Sequence, residues 1–402
     1  MIKKIIVIPL ASSIHEKWRW SKVLQKYRDI LNRFNNVVFH DVLTNINSIP
    51  SLDNPKILFL IHLTGGTSRL AKTIFNKYRN TVFILIAHGF QNSLPSALSA
   101  RQYIRRNGGI VKLIYNTYPN GDKIGKTIEM ASKILDFYMS EIIVFTDNNV
   151  FEKPKLLEKI SIRIVKWSEV MKALNEISDN DVKGILAMLS NKIVNIDSLD
   201  TKYLSKIIRL YCAMRKYVSN KSFVAVDCFN FIVKYGFTPC LPVAILNSEN
   251  IPAACEADLN SLSLISILNI LGYRSWIANL TAIEDGYIVF SHCTASLDIL
   301  RKIELINHFE SSKPYAVKGF FNLSNVCIGR MDNGKIDIYL GKIIAVNEGQ
   351  DRCRIQIGIS ISNPHEILEN VTGNHHIIFS SNALDSLKSF LDLLGIKINI
   401  FN

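Results

Sequence analysis

Over its first 140 residues the chain alternates short, predominantly apolar runs of strand length with stretches of helix length, and this rhythm most constrains what it can fold into. Residues 5–10 precede 16–34, 37–40 follow, 57–62 precede 68–78, 82–87 precede 94–106, and 111–115 precede 124–139. A strand that is apolar at every position is buried on both faces, which requires helices on either side of it. The pattern therefore predicts parallel βαβ units in a doubly wound sheet.

The same cycle resumes at 142–146, passes through helical stretches to about residue 218, and continues in short strands at 223–228 and 251–255. Leu262, Ile265, Leu268 and Leu271 predict one buried helical stripe, which Gly272 ends. Beyond 285 the period changes to two. Ile336, Ile338 and Leu340 alternate with polar partners after an Asp332-Asn333-Gly334 turn, and Ile355, Ile357, Ile359 and Ile361 alternate with Gln356, Gly358 and Ser360. A helix at 383–394, stopped by Gly395, leads into a closing strand. A chain of 402 residues with 48% hydrophobic content is too long for one core. The fold class expected is α/β: two doubly wound α/β domains, 1–140 and 141–284, followed by a C-terminal antiparallel β-barrel-like domain, 285–402.

Composition removes several functional classes. The seven cysteines are scattered singly without a CxxC, so neither a disulfide framework nor a thiolate zinc site is expected, and a reducing, cytoplasmic location fits. The apolar stretch after Lys3-Lys4 is too short for a secretory signal and reads as the first strand. No apolar run approaches the roughly 20 residues that cross a bilayer, so no membrane partner is expected. The net charge of +13 raises nucleic-acid binding, yet the basic residues are spread along the chain and form no RNP, zinc-finger or helix-turn-helix signature. No nucleic-acid partner is expected; an anionic small molecule suits the charge equally well.

Chemistry concentrates at Cys255-Glu256-Ala257-Asp258, where a strand ends immediately before a helix. That edge of an α/β sheet is where its ligands bind. In extended backbone, residues two apart face the same way, so Glu256 and Asp258 converge on one cation or one sugar; helix capping accounts equally well for Asp258 but not for Glu256. His292 ends another apolar run and suits a ligand, a proton carrier or a hydrogen-bonding group. Adjacent strand residues face opposite ways, so at most one of His375 and His376 enters a site. Carboxylate oxygen with imidazole nitrogen suits manganese, magnesium or another divalent ion better than a thiolate-preferring metal. Thr64-Gly65-Gly66-Thr67-Ser68 and His88-Gly89-Phe90-Gln91-Asn92-Ser93 each join a strand to a helix. The first offers backbone N–H groups to an anion, and the second offers either ordinary capping or polar contacts to a sugar.

Four segments, HGFQNSLPSALSA from His88, TPCLPVAILN…IPAACEADL from Thr238, WIANL…HCT from Trp276 and GNHHIIF from Gly373, resemble in this order the superfamily that includes L-fucose and L-arabinose isomerases. The resemblance spans nearly the whole chain and is closest to the shorter fucose-isomerase-like members. It implies a metal-dependent aldose–ketose isomerase that moves a proton between C1 and C2 through an enediol, with a divalent ion, most commonly Mn2+. It also implies a homotrimer or homohexamer acting on a small-molecule sugar. By this resemblance Asp258 and His375 are metal ligands, with Glu256 as a further ligand or proton-transfer group beside Asp258. His292, His88, Asn92, Ser93 and Asn279 are substrate contacts. The family's upstream metal carboxylate falls here within residues 234–240, which contain no acid. Three readings stay open: Glu256 replaces it, Asp227 reaches in, or the metal is weak or absent. The alternative function is a sugar-binding or regulatory protein of the same fold that has lost metal-dependent catalysis.

Overall fold

A computed structural model describes residues 4–148, 152–284, 286–332, 334–344, 349, 351–371 and 373–401. The chain forms two compact units. The first comprises residues 1–138 and 388–397, and the second comprises 139–387 and 398–402.

The first unit runs β1 (Ile5–Leu10), α1 (Lys17–Leu31), β2 (Val37–Phe39), β3 (Ile57–His62), α2 (Ser68–Lys77), β4 (Val82–Ala87), α3 (Ser93–Arg106), β5 (Ile110–Tyr115) and α4 (Gly121–Tyr138). Its five strands are parallel in the order β2-β1-β3-β4-β5. Leu58, Leu60, Phe83 and Leu85 pack on Leu70, Ile74 and Phe75 of α2 and on Ala100 and Ile104 of α3. Phe59 and Ile61 alternate to the opposite face and are equally buried, which is why the strands read as unbroken apolar runs. Strand order reverses between β1 and β3, so the carboxyl ends of these strands flank the crevice where such sheets hold ligands.

The second unit opens with β6 (Glu141–Phe145), β7 (Ser161–Val165), α5 (Trp167–Asn175), α6 (Asp179–Ser190), α7 (Thr201–Arg215), β8 (Ser222–Val226), α8 (Cys228–Tyr235), α9 (Cys240–Ser248), β9 (Ala253–Cys255) and α10 (Leu259–Ile270). These strands form a parallel sheet, β7-β6-β8-β9. There follow β10 (Ser275–Glu284), β11 (Tyr287–His292), β12 (Leu300–Ile306), β13 (Ala316–Phe321), β14 (Asn325–Asp332), β15 (Lys335–Ile344), β16 (Ile355–Ser360), α11 (Glu366–Asn370), β17 (His375–Ser380) and, after α12 (Leu384–Leu394), most of which belongs to the first unit, β18 (Lys397–Phe401). The large sheet has the order β14-β17-β10-β11-β16-β15-β18, and β14 also pairs with β15, so its antiparallel ladders run through six strands and return to the first. β12 and β13 form a separate pair.

Three features differ from the sequence reading. Residues 275–284, expected at the end of the second α/β domain, pair with β11 and β17 and belong to the antiparallel sheet. Helix α10 is buried around its circumference, including Ser263 and Ser266, because β8 and β9 pack against it on one side and β10, β14 and β17 on another; a single stripe underestimates it. The parallel and antiparallel sheets contribute to one core, in which Val224, Val226 and Ala253 join Trp276, Phe290, Ile328 and Ile378. Asn333, at the centre of the expected hairpin turn, lies outside the described residues, while Asp332 and Lys335 pair on either side of it. No described helix is long and apolar enough to cross a membrane.

Candidate metal centre

The site grows from the junction of β9 and α10. The strand ends at Cys255, and Glu256 and Ala257 then both adopt left-handed backbone, with φ of 56° and 51°. Two consecutive non-glycine residues in this region are costly and persist where surrounding structure over-determines them. Here the Ala257 N–H donates to the Val226 carbonyl at 3.1 Å and the Asp258 N–H to the Cys255 carbonyl at 3.1 Å. The extended geometry expected for Glu256 to Asp258 is therefore replaced by a tight turn, yet the two carboxylates still converge.

They converge on opposite nitrogens of one imidazole. Oδ2 of Asp258 lies 2.9 Å from Nδ1 of His375, and Oε1 of Glu256 lies 3.3 Å from its Nε2. Asp258 also caps α10, accepting from the Ser261 N–H at 2.9 Å and the Ser261 hydroxyl at 2.7 Å. Capping and an approach to the candidate metal centre, separate readings of the sequence, coexist in this side chain.

His375 opens β17, directly across the ladder from Asn279. Its neighbour His376 faces the other way, with its ring 5.6 Å from Phe290 and its Nδ1 3.1 Å from the Asn374 carbonyl. Burial lowers His376 to about 4, consistent with a neutral core histidine. Asn374 donates to Oδ1 of Asn279 at 3.0 Å. Gly373 allows a close approach, because a Cβ there would lie 2.0 Å from the Arg330 guanidinium, which donates to the His375 carbonyl.

The third group is His292, at the end of β11. Its Nε2 lies 3.9 Å from the same Glu256 oxygen, and its ring centroid is 5.6 Å from that of His375. Glu256, His292 and His375 each offer a ligand atom within 4.8 Å of the others, and among the described residues they form the group able to hold a metal ion. The side chains of His292 and His375 are 7% and 3% exposed against 27% for Glu256, so the open side of the cluster is the carboxylate. Nε2 of His375 is buried and faces Oε1 of Glu256.

His292, expected as a substrate contact, thus stands beside the expected ligands Glu256 and His375 in the group that could hold a metal ion, while Asp258 meets the far nitrogen of His375. The sequence carried no signal for the contacts around them: His292 Nδ1 is 3.4 Å from the Thr294 hydroxyl, which is 3.5 Å from the Cys255 thiol.

Electrostatics follow from this packing. Burial opposes charge on His375, but the hydrogen bonds to Asp258 and Glu256 outweigh it and raise the imidazole to about 9. Burial opposes charge on Asp258 as well, and its bonds to His375 and Ser261 overcome this and bring it down to about 2. Glu256 is lowered against its burial by His375 and His292. Burial, then the neighbouring His375 charge, lowers His292 to about 3. Without an ion, a protonated His375 bridges two carboxylates beside a neutral His292.

The other expected residues are placed as follows. Asp227 does not join the cluster: its carboxylate accepts from Thr146 at 2.8 Å, Asn148 at 3.2 Å and Asn230 at 2.9 Å, at the carboxyl edge shared by β6 and β8. Residues 234–240 turn from α8 to α9 through Gly236, at φ 75°. His88, Asn92 and Ser93 belong to the first unit. There the Ser93 hydroxyl donates to the His62 carbonyl and accepts from the His88 N–H, and Gln91 and Asn92 form a second left-handed pair before α3. His62 Nδ1 meets the Thr67 hydroxyl at 2.7 Å, so Thr67 of the glycine-containing turn serves local structure.

No protein-family profile matches this sequence, and no curated protein matches it.

Proposed function

We propose that this protein is an aldose–ketose isomerase-like enzyme in which Glu256, His292 and His375 hold a divalent cation, with Mn2+ as the first candidate. The observation that carries the reading is the convergence of one carboxylate and two buried imidazoles, with a second carboxylate fixing one ring from behind. Such an outer carboxylate sets the tautomer and aim of a ligating histidine. The presence of two parallel sheets and of a closed run of antiparallel pairings supports the two α/β domains and barrel that the fucose-isomerase resemblance implies.

Three protein donors leave coordination positions open, as catalytic sites require. A bound cation supplies Lewis-acid stabilisation of the negative charge that develops on the enediolate oxygens. The chain's own residues do the rest. Asp258 keeps His375 oriented through Nδ1. Glu256, charged and on the open side, accepts the proton from one sugar carbon and returns it to the next. A closed homo-oligomer, trimer or hexamer, belongs to the same proposal.

A sugar-binding or regulatory protein is the second reading, favoured by the absence of an acid from residues 234–240 and by the engagement of Asp227 elsewhere. Incubating the protein with Mn2+ and a panel of pentoses, hexoses, deoxy-sugars and sugar phosphates separates the two. Ketose formation supports the enzyme. Saturable sugar binding without ketose supports the binding protein.

A further inference from the structure

All seven cysteines lie in the second unit, and three of them, far apart in sequence, meet. Cys240 and Cys293 are buried together with Ala316, and the partly exposed Cys353 packs against them. The neighbouring Cys240 thiol holds Cys293 well above the ordinary thiol range, and contact with Cys293 in turn raises Cys353. Cys293 directly follows His292, and the register that pairs His292 with Ile355 brings residue 293 beside the segment carrying Cys353. The Cys293 carbonyl accepts from the Val317 N–H at 3.2 Å, which ties this turn to β13.

We propose that Cys353 and Cys293 form a peroxide-driven, reversible disulfide that controls the cation site. Cys353, the more accessible thiol, attacks hydrogen peroxide; its sulfur gains an oxygen as sulfenic acid, the O–O bond breaks, and one water leaves. The Cys293 sulfur then attacks the Cys353 sulfur, the S–S bond forms, the S–O bond breaks, and the second water leaves. Two thiols are oxidised and one peroxide is reduced to two waters. A disulfide holds its sulfurs about 2.05 Å apart, closer than two thiols in packing contact. Closing that distance shifts the chain at Cys293 and with it the adjoining His292, which faces the Glu256 oxygen at 3.9 Å. The contact with Cys293 and burial push the Cys353 thiol up, which slows the first step, so the reaction is followed to completion.

The control of the cation site rests on the proposed metal reading; the disulfide does not. The test oxidises the full-length protein with hydrogen peroxide, removes the peroxide, maps disulfides by mass spectrometry of a non-reducing digest, and titrates Mn2+. The expected result is a cross-linked peptide pair containing Cys293 and Cys353, with at least a tenfold loss of Mn2+ affinity, both reversed by dithiothreitol. Cys353→Ser should show neither effect, and Cys240→Ser should retain both. Absence of the cross-link overturns the disulfide, and a cross-link with unchanged Mn2+ affinity overturns the control. If the reduced protein takes up no Mn2+, the metal reading and the control fall together, and the cross-link alone judges the disulfide.

Discussion

Asp258 and His375, 117 positions apart in sequence, are joined by a hydrogen bond of 2.9 Å between a carboxylate oxygen and Nδ1. Because Asp258 is also the N-cap of α10, the bond fixes the imidazole of β17 to the first turn of a buried helix. Asp258→Asn keeps an oxygen for the Ser261 N–H but removes the charge facing His375. Its fold should survive, with Mn2+ affinity in calorimetry falling about 10- to 100-fold. Asp258→Ala should lose the cap as well, at a further cost of ~1 kcal/mol in denaturant unfolding.

The same pair gives the metal-free protein a defined pH profile. Asp258 is lowered to about 2 from the ordinary 3.8, so its contribution is present above about pH 4 and is lost as pH falls toward 2. His375 is raised to about 9 from 6.5, so its contribution is complete below 6.5 and is lost as pH rises through 9. The contribution of the pair should therefore be greatest between about pH 4 and 6.5. Thermal unfolding of the apo protein from pH 5 to 10 should show an alkaline decline that His375→Gln flattens, with a difference on the order of 1–3 kcal/mol.

Gly373→Ala should disturb the site without touching a candidate ligand. The added Cβ meets the Arg330 guanidinium at 2.0 Å, displacing the group that holds the His375 carbonyl. The expected cost is about 1–3 kcal/mol in denaturant unfolding. Mn2+ affinity should fall with it, whereas Gly108→Ala, at a positive φ with open space around it, should cost stability alone.

Glu256→Gln removes the charge on the open side of the cluster. That carboxylate is one of the two that raise His375, so the apo protein should lose part of the pH-dependent stability that His375 carries while keeping its fold by circular dichroism. With Mn2+ saturating, ketose formation should fall by at least 100-fold, because an amide cannot carry the proton.

Much of the fold was legible because its physics is local. Residues 57–61 and 82–87 are apolar at every position only because helices cover both faces of the sheet, and Ile355 to Ile359 alternate because one face of β16 is buried. The carboxylate pair was legible in part: an acid directly before a helix serves as a cap, as Asp258 does, whereas capping left Glu256 unexplained. His292 was not. Its place beside Glu256 depends on the pairing of β11 with β16 and β10, contacts that no short window of sequence contains. The turn at Glu256 and Ala257 was also hidden, because neither residue type favours left-handed backbone, and it is the hydrogen bonds to Val226 and Cys255 that hold it. The cysteines read as solitary because Cys240, Cys293 and Cys353 meet only in the folded unit.

The central claim, that Glu256, His292 and His375 together hold a divalent cation, is tested most directly by titrating the full-length protein with Mn2+ and counting bound ions by electron paramagnetic resonance. The account predicts one tightly bound ion per chain in the wild-type protein and none in either His292→Ala or His375→Ala, with both variants folded by circular dichroism. Full occupancy in the folded His292→Ala protein, or no bound ion in the wild type, would contradict it.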